Sequence, residues 1–370
     1  MEVQLVDEFM NDDLRESWED ILSRTTAGHA QLTYEWLGSW WEVFGHDKRL
    51  SLMTVVDGGR IVGIAPLIIS KVIDKAGFAI RKLTFVGDGL TDYHDLVIAN
   101  DRREETVRAL FERIVRDKDR WDAIHFRNVR GDSPNLPIVR DILRETSLTI
   151  FERVNIRSPY VAIDRDWAKY YGSLSKSMRS DIRRQSKRLA GMGTVECVRF
   201  HDVADAAEVL DIIGLVHRKC RQAQGGGSLF DNMRWCRFAS LILERFGARK
   251  FLDLVLLRLS GRVIAYYFGF VYDNVVSFWN TGFDPAFATV SPGKLLLHHA
   301  IQDSFREGYD EFDLMVGEEP YKLQWTSTVR PNYELFAFKN TMRSHLLRCY
   351  QVHKPFLKKI GAGIGARVRG

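Results

Sequence analysis

One turn sequence occurs twice in this chain, with the same elements around it in the same order. Leu50 to Ser70 reads as two strands joined at Asp57-Gly58-Gly59, and Leu252 to Tyr272 as two strands joined at Ser260-Gly261. The first turn leads into Gly59-Arg60-Ile61-Val62-Gly63, the second into Gly261-Arg262-Val263-Ile264-Ala265. Glycine supplies the positive φ of a tight hairpin, and the apolar run after it makes a strand. Two helical segments precede each hairpin, at about 11–24 and 33–45 and again at about 202–222 and 230–247. A helix-like stretch and a strand follow each: Thr106 to Lys118 with Trp121 to Phe126, and Lys294 to Glu307 with Glu311 to Val316. Each half therefore reads β-α-α-β-β-β-α-β. Strands at 250–259, 263–272 and 275–283, the last two joined at Asp273-Asn274, form an antiparallel meander. The helix after them crosses to a new strand, which favours parallel pairing. A duplicated, mixed α/β chain is the expectation, with one or two helices at 166–189 between the halves. Trp36, Trp40 and Phe44 share a helical face and read as core.

A length of 370 residues suits two domains. With 45% hydrophobic and 27% charged residues, the chain is globular and not disordered. The longest apolar run, Val263 to Tyr272, falls short of the roughly 20 residues of a membrane span. Acids at Glu2, Asp7, Glu8, Asp12 and Asp13 argue against a secretory leader. Cys197, Cys220, Cys236 and Cys349 form no C-x-x-C pair, so neither zinc nor a disulfide framework is expected, and a reducing cytoplasm is. After Glu334 come eight bases and no acid, leaving 45 bases against 48 acids in the rest. That tail, 341–370, reads as solvated. A second basic cluster, Lys176, Arg179, Arg183, Arg184, Lys187 and Arg188, lies on one helix face. It is either a solvated face or a contact for phosphates, a tRNA acceptor end or an anionic glycan. DNA is not expected, because no stacking aromatics are interleaved with it.

The most informative stretch is Val275 to Trp325. Its strand runs through Gly282, Phe283 and Asp284, and a loop then leads by way of Val290 to Ser291-Pro292-Gly293-Lys294 and the helix. Ser291 suits an N-cap, Pro292 the first helical position, and Gly293 leaves room for a group to approach the backbone. Two readings stand: a well-capped helix, or an anion site built from free N–H groups and a lysine. The corresponding helix of the first half starts at Asp101, Glu104 and Glu105, which repel a phosphate. Beyond the next strand comes Gly317-Glu318-Glu319-Pro320-Tyr321-Lys322-Leu323-Gln324-Trp325. Open α/β sheets place ligands at such strand ends. There Glu318 is a candidate base, Tyr321 a candidate proton donor and Lys322 a holder of negative charge, with Asp284 nearby in the motif. Adjacent His298 and His299 point apart and make no metal pair. Gly225-Gly226-Gly227-Ser228 is either a mobile connector or a loop lining a substrate site.

The pattern Gly282-Phe283-Asp284, Ser291-Pro292-Gly293, Phe312-Asp313-Leu314, Gly317-x-Glu319-x-Tyr321-Lys322-x-x-Trp325 resembles the cellulose-biosynthesis-associated (CelD-type) acetyltransferase-like proteins of the GNAT superfamily. It extends from the Trp36–Trp41 region to about Phe338, and the family is similar to the Fem-type aminoacyl-tRNA-dependent transferases. The resemblance implies two tandem GNAT-like lobes with mixed, mostly antiparallel sheets flanked by helices and joined by a helical segment. The expected boundaries are a degenerate lobe at 1–160, a basic helical connector at 161–190, an acyl-coenzyme A lobe at 191–340 and a basic tail at 341–370. It implies transfer from acetyl-coenzyme A or another acyl-coenzyme A to an amine or hydroxyl of a small-molecule or glycan acceptor, without a metal. The cofactor residues would be Gly282, Val290, Ser291, Pro292, Gly293 and Lys294, and the catalytic ones Tyr321, Glu318, Lys322 and Asp284. The family's leading Gln or Arg of the pyrophosphate loop is absent from Ala288-Thr289-Val290-Ser291-Pro292-Gly293. The alternatives are Fem-type transfer, with tRNA as partner, and a non-catalytic member of a polysaccharide-synthesis complex. A monomer or a homodimer fits either.

Overall fold

The structure, a computed structural model, describes residues 1–73 and 79–348. The chain divides into two units, one from Met1 to Asn155 with a return segment from Pro331, the other from Ile156 to Arg330. The first is built from β1 (Glu2–Leu5), α1 (Asp12–Ser23), α2 (Tyr34–Phe44), β2 (Arg49–Leu50), β3 (Met53–Asp57), β4 (Arg60–Ala65), β5 (Leu67–Ile73), β6 (Ala79–Phe85), β7 (Val97–Ile98), α3 (Arg103–Arg116), β8 (Ala123–Arg130) and α4 (Asn135–Arg144). β9 (Thr149–Ala162) leads into the second. There follow α5 (Trp167–Ser173), α6 (Lys176–Ala190), β10 (Val195–Phe200), α7 (Ala206–Ala223), α8 (Met233–Ala248), β11 (Leu252–Leu259), β12 (Arg262–Tyr272), β13 (Val275–Phe283), α9 (Pro292–Glu307) and β14 (Glu311–Asp313). β15 (Val329–Phe338) and α10 (Met342–Arg348) end the described chain.

The two repeated hairpins have the same pairing. Asp57 faces Arg60 and Val56 faces Ile61; the register then shifts so that Val55 faces Gly63. In the second unit Leu259 faces Arg262, Arg258 faces Val263, and the shift pairs Leu257 with Ala265. Both turns have two residues with positive φ, Gly58-Gly59 and Ser260-Gly261, as a two-residue primed turn requires. The copies diverge after the hairpin. Pro66 stops β4, where the sequence reads on to Ser70, and the β5–β6 hairpin is inserted before β7.

The second unit's sheet runs β10-β11-β12-β13 antiparallel; β14 then joins β13 in parallel and pairs with β9 on its other side. Leu295, Leu296, Ala300 and Ile301 of α9 pack on it in one apolar core with Leu257, Tyr267, Val276 and Phe312. Met178, Ile182 and Leu189 of α6 belong to the same core. Residues 167–190 are thus part of the second unit and not a separate connector, because one face of this basic helix is apolar. Residues 331–338 leave that unit: β15 pairs antiparallel with β8. The tail is not wholly solvated either. Leu347 is buried, and the Ser344 hydroxyl donates to the Asp122 carbonyl at 2.8 Å. Tyr350, Phe356 and the rest of the tail lie outside the described residues.

Ile182→Ala should therefore lower the stability of the second unit by about 2–4 kcal/mol, the cost of emptying a packed site. Denaturant unfolding followed by tryptophan fluorescence measures it; a solvated connector would lose almost nothing.

Candidate active site

β13 is held unequally along its two edges. Against β12 its pairing runs to Phe283, but against β14 it stops after Val275–Glu311, Val276–Phe312 and Ser277–Asp313. Just past that point the β12 register shifts, so that Phe278 and Trp279 together face Gly269. A side chain at Gly269 would meet the Ser277 carbonyl at 2.2 Å and the Tyr267 ring at 2.1 Å, so only glycine admits this bulge. Bulges bend and twist the strand that carries the extra residue. The second half of β13 therefore parts from the chain that follows β14.

A cavity of about 590 Å³ fills the gap. Phe278, Thr281, Gly282 and Phe283 of β13 line it, as do Tyr321, Gln324 and Trp325 from the chain after β14. Gly293, Lys294 and Leu297 of α9 close one side. His217, Cys220 and Arg221 of α7 and Gln224, which caps it, line the rest with Gly227 and Leu229. Among the described residues, no Asp or Glu lines the cavity. The glycine loop after α7 is thus a lining element.

Of the candidate cofactor residues, Gly282, Gly293 and Lys294 face the cavity. A side chain at Gly293 would touch only Phe283, at 3.5 Å, leaving the helix start open. Pro292 is the first residue of α9, and the helix proper begins with Leu295 N–H donating to the Ser291 carbonyl at 3.2 Å. The N–H groups of Gly293 and Lys294 therefore have no carbonyl within the helix. Ser291 departs from its expected role: it sits at φ 49° and ψ 55°, and its side chain makes no cap bond. Val290 is fully buried in the apolar core. The Lys294 ammonium is held by Asp181 of α6 at 2.7 Å, and Arg184 binds the same carboxylate at 2.5 Å.

The candidate catalytic residues divide. Tyr321 lines the cavity with 41% of its surface open. Burial, and then the Glu319 carboxylate, push its hydroxyl above the ordinary tyrosine range, so it stays protonated. Glu318 does not line the cavity; it pairs with Arg157 at 3.8 Å. Lys322 is buried, with its ammonium 2.7 Å from the Val316 carbonyl and 2.9 Å from Glu319. It clamps the turn that starts at Met315 (φ 61°) and Gly317 (φ 106°), and is not available to hold a ligand's charge. Asp284 is buried outside the cavity. It accepts from Ala286 N–H at 3.1 Å, from Lys219 at 3.1 Å and from Arg262. Burial alone would raise its pKa, but these partners outweigh it and hold the carboxyl below the ordinary range. Asp284 thus fixes the loop between β13 and α9 and is not a base. Lys322 and Asp284 are displaced for the same reason: a buried charge is tolerated only when paired, and each has found its partners outside the cavity lining.

The sequence reading missed His217. It is 5% exposed, lines the cavity, and has Nδ1 2.7 Å from the Ser228 hydroxyl oxygen. The available signal was its place on α7 three residues before Cys220, one helical turn on the same face. Among the described residues, no group of three or more His, Cys, Asp or Glu side chains converges as metal ligands do, and no helix is long and apolar enough to cross a membrane.

The fold is mixed α/β, with two tandem GNAT-like units. Residues 176–323 match the acetyltransferase (GNAT) domain family. The chain is similar in fold to the crystal structure of FemX, with TM-score 0.66 and 12% identity over 94% of this chain and 99% of that one. It is also similar to L-PGS from Bacillus licheniformis, with TM-score 0.57 and 13% identity over 94% and 97%. A third likeness is the C-terminal domain of a putative lysylphosphatidylglycerol synthetase from Agrobacterium fabrum, with TM-score 0.53 and 12% identity over 92% and 96%. No curated protein matches the sequence.

Asp284→Asn should destabilise the protein by about 1.5–3 kcal/mol at pH 7, the usual range for hydrogen bonds to a charged group. Because the folded carboxyl titrates below the unfolded one, near 3.9, the loss is full above that range and shrinks as pH falls through the folded value. Paired melting curves at pH 7 and at about pH 3.5 check both the size and the sign.

Proposed function

We propose that this chain transfers an acyl group, acetyl in the simplest case, from acyl-coenzyme A to an amine or hydroxyl of a small-molecule or glycan acceptor. The observation that carries the reading is the parting of β13 from β14 beside the open start of α9. It gives an acid-free cavity with apolar walls for a flexible thioester arm and an N–H-rich rim for an anion. Gly293 and Lys294 would meet the phosphates, Phe278, Gly282 and Trp325 the arm. The attacking group displaces the thiolate directly, without a metal, and Tyr321 gives the thiolate its proton. The free thiols at Cys197, Cys220 and Cys236 suit a cytoplasmic setting, where acyl-coenzyme A is made. The CelD-type resemblance supports a glycan acceptor.

A second reading, Fem-type aminoacyl transfer from tRNA, draws on the likeness to FemX along almost the whole of both chains and on exposed Arg183 and Lys187 of α6. Product formation that requires charged tRNA and proceeds without any coenzyme A thioester selects it.

Calorimetry with coenzyme A tests the first reading. Binding should saturate at one molecule per chain, since Glu104 and Glu105 occupy the first turn of α3. Gly293→Glu should weaken it more than tenfold, about 1.4 kcal/mol or more. A stoichiometry of two, or unaltered affinity in a folded Gly293→Glu protein, places the nucleotide elsewhere. Tyr321→Phe should lower kcat and leave coenzyme A affinity nearly unchanged; a loss confined to affinity makes Tyr321 a binding residue only.

A further inference from the structure

An acyl transfer needs a group to take the acceptor's proton, and the motif's carboxylates do not reach the cavity. Glu318 faces Arg157, Glu319 faces Lys322, and Asp284 is enclosed by Lys219 and Arg262. Among the lining side chains, burial holds the proton on the Tyr321 hydroxyl, and Lys294 and Arg221 are donors with no lone pair to offer. We propose that His217 of α7 is the general base, oriented by Ser228 of the glycine loop. The inference rests on the acyl-coenzyme A reading above.

The local geometry supports a fixed ring with one usable nitrogen. His217 packs on Phe230, ring centroids 5.1 Å apart, and Gly282 of β13 comes so close that a side chain there would meet the His217 Cα at 3.5 Å. Its Nδ1 lies 2.7 Å from the Ser228 oxygen, which also accepts the Phe230 N–H at 3.1 Å. With Nδ1–H donating to Ser228, Nε2 is left as a bare acceptor. The groups facing the ring are Arg218 and Arg221 of its own helix and Asp231 of the following turn. Burial first, and Arg221 next, push its pKa down to about 4, so the imidazole is neutral at pH 7, as a base must be before it takes a proton. The glycine loop thus acquires a role: it delivers the hydroxyl that sets the tautomer.

In the step itself, the acceptor's lone pair forms a bond to the thioester carbonyl carbon as the carbon–sulfur bond breaks. The acceptor's proton passes to Nε2 of His217, and the departing thiolate takes the Tyr321 proton. Exchange with solvent removes the proton from His217 and restores the one on Tyr321. The site suits a neutral or anionic acceptor, because its lining holds cations and no carboxylate.

The test is thiol release from acetyl-coenzyme A with hydroxylamine as the small acceptor, alongside calorimetry of coenzyme A. His217→Gln should lower kcat at least 100-fold, within the roughly 10²–10⁴ typical of acid–base help, with coenzyme A affinity changed less than twofold. Added imidazole should restore part of the rate of His217→Ala, which a merely structural histidine would not permit. Ser228→Thr should retain the rate that Ser228→Ala loses. In the parent, diethyl pyrocarbonate should modify His217, located by peptide mapping, and coenzyme A should block it. A folded His217→Gln protein with parental kcat overturns this role alone, as does a loss that imidazole cannot relieve with His217 inert to the reagent. A parent that neither binds coenzyme A nor releases thiol overturns the donor reading and this role with it.

Discussion

The second unit depends on a mismatch in length between two neighbouring strands. β13 has nine residues and β14 has three, so among the described residues most of one edge of β13 has no strand partner. A strand edge left in this way exposes N–H and C=O groups that must find water or a ligand. The bulge opposite Gly269 falls where the pairing ends and turns the rest of β13 aside. The cavity, the placement of α9 across its side and the approach of α7 to Gly282 all follow from that divergence. Gly282 admits the close approach of α7, since a side chain there would meet the Tyr266 ring at 2.8 Å.

Charge is spent mainly on fixing loops around this gap. Asp284 gathers Lys219 and Arg262, Asp181 gathers Lys294 and Arg184, and Lys322 ties two backbone carbonyls and Glu319. Each partly buried charge needs a partner, and these partners join segments that the sheet alone does not connect. What remains on the cavity wall is an acid-free surface with a phenol, an imidazole, a guanidinium and a thiol. The basic helix α6 follows the same economy. Its apolar face enters the core while Arg183 and Lys187 stay exposed.

The repeat was legible because its cause is local. Two glycine-containing turns with positive φ, each flanked by apolar runs, are written in adjacent residues, and both hairpins formed with the same register shift. The openness of the α9 start and the place of Tyr321 after β14 were legible for a similar reason. Each depends on a few residues next to one another in the chain. Glu318, Lys322 and Asp284 misled because the sequence displays titratable groups without showing which ones find partners. Only the folded turn reveals that Lys322 points back at Val316 and that Asp284 faces Lys219, 65 residues away.

The amino-acid order alone thus determined the class of fold, the duplication and the contrast between an α3 start that carries acids and an α9 start that carries none. Hydrophobic periodicity, turn chemistry and the acids at the start of α3 act over a few residues each. Tertiary structure decided which unit α6 and β15 join, because sheet pairing and helix burial are contests between distant segments. It also decided which side chains face the cavity. His217 shows in the sequence only its place one helical turn before Cys220, and becomes a wall residue when α7 packs over Gly282 and the loop brings Ser228 to its ring.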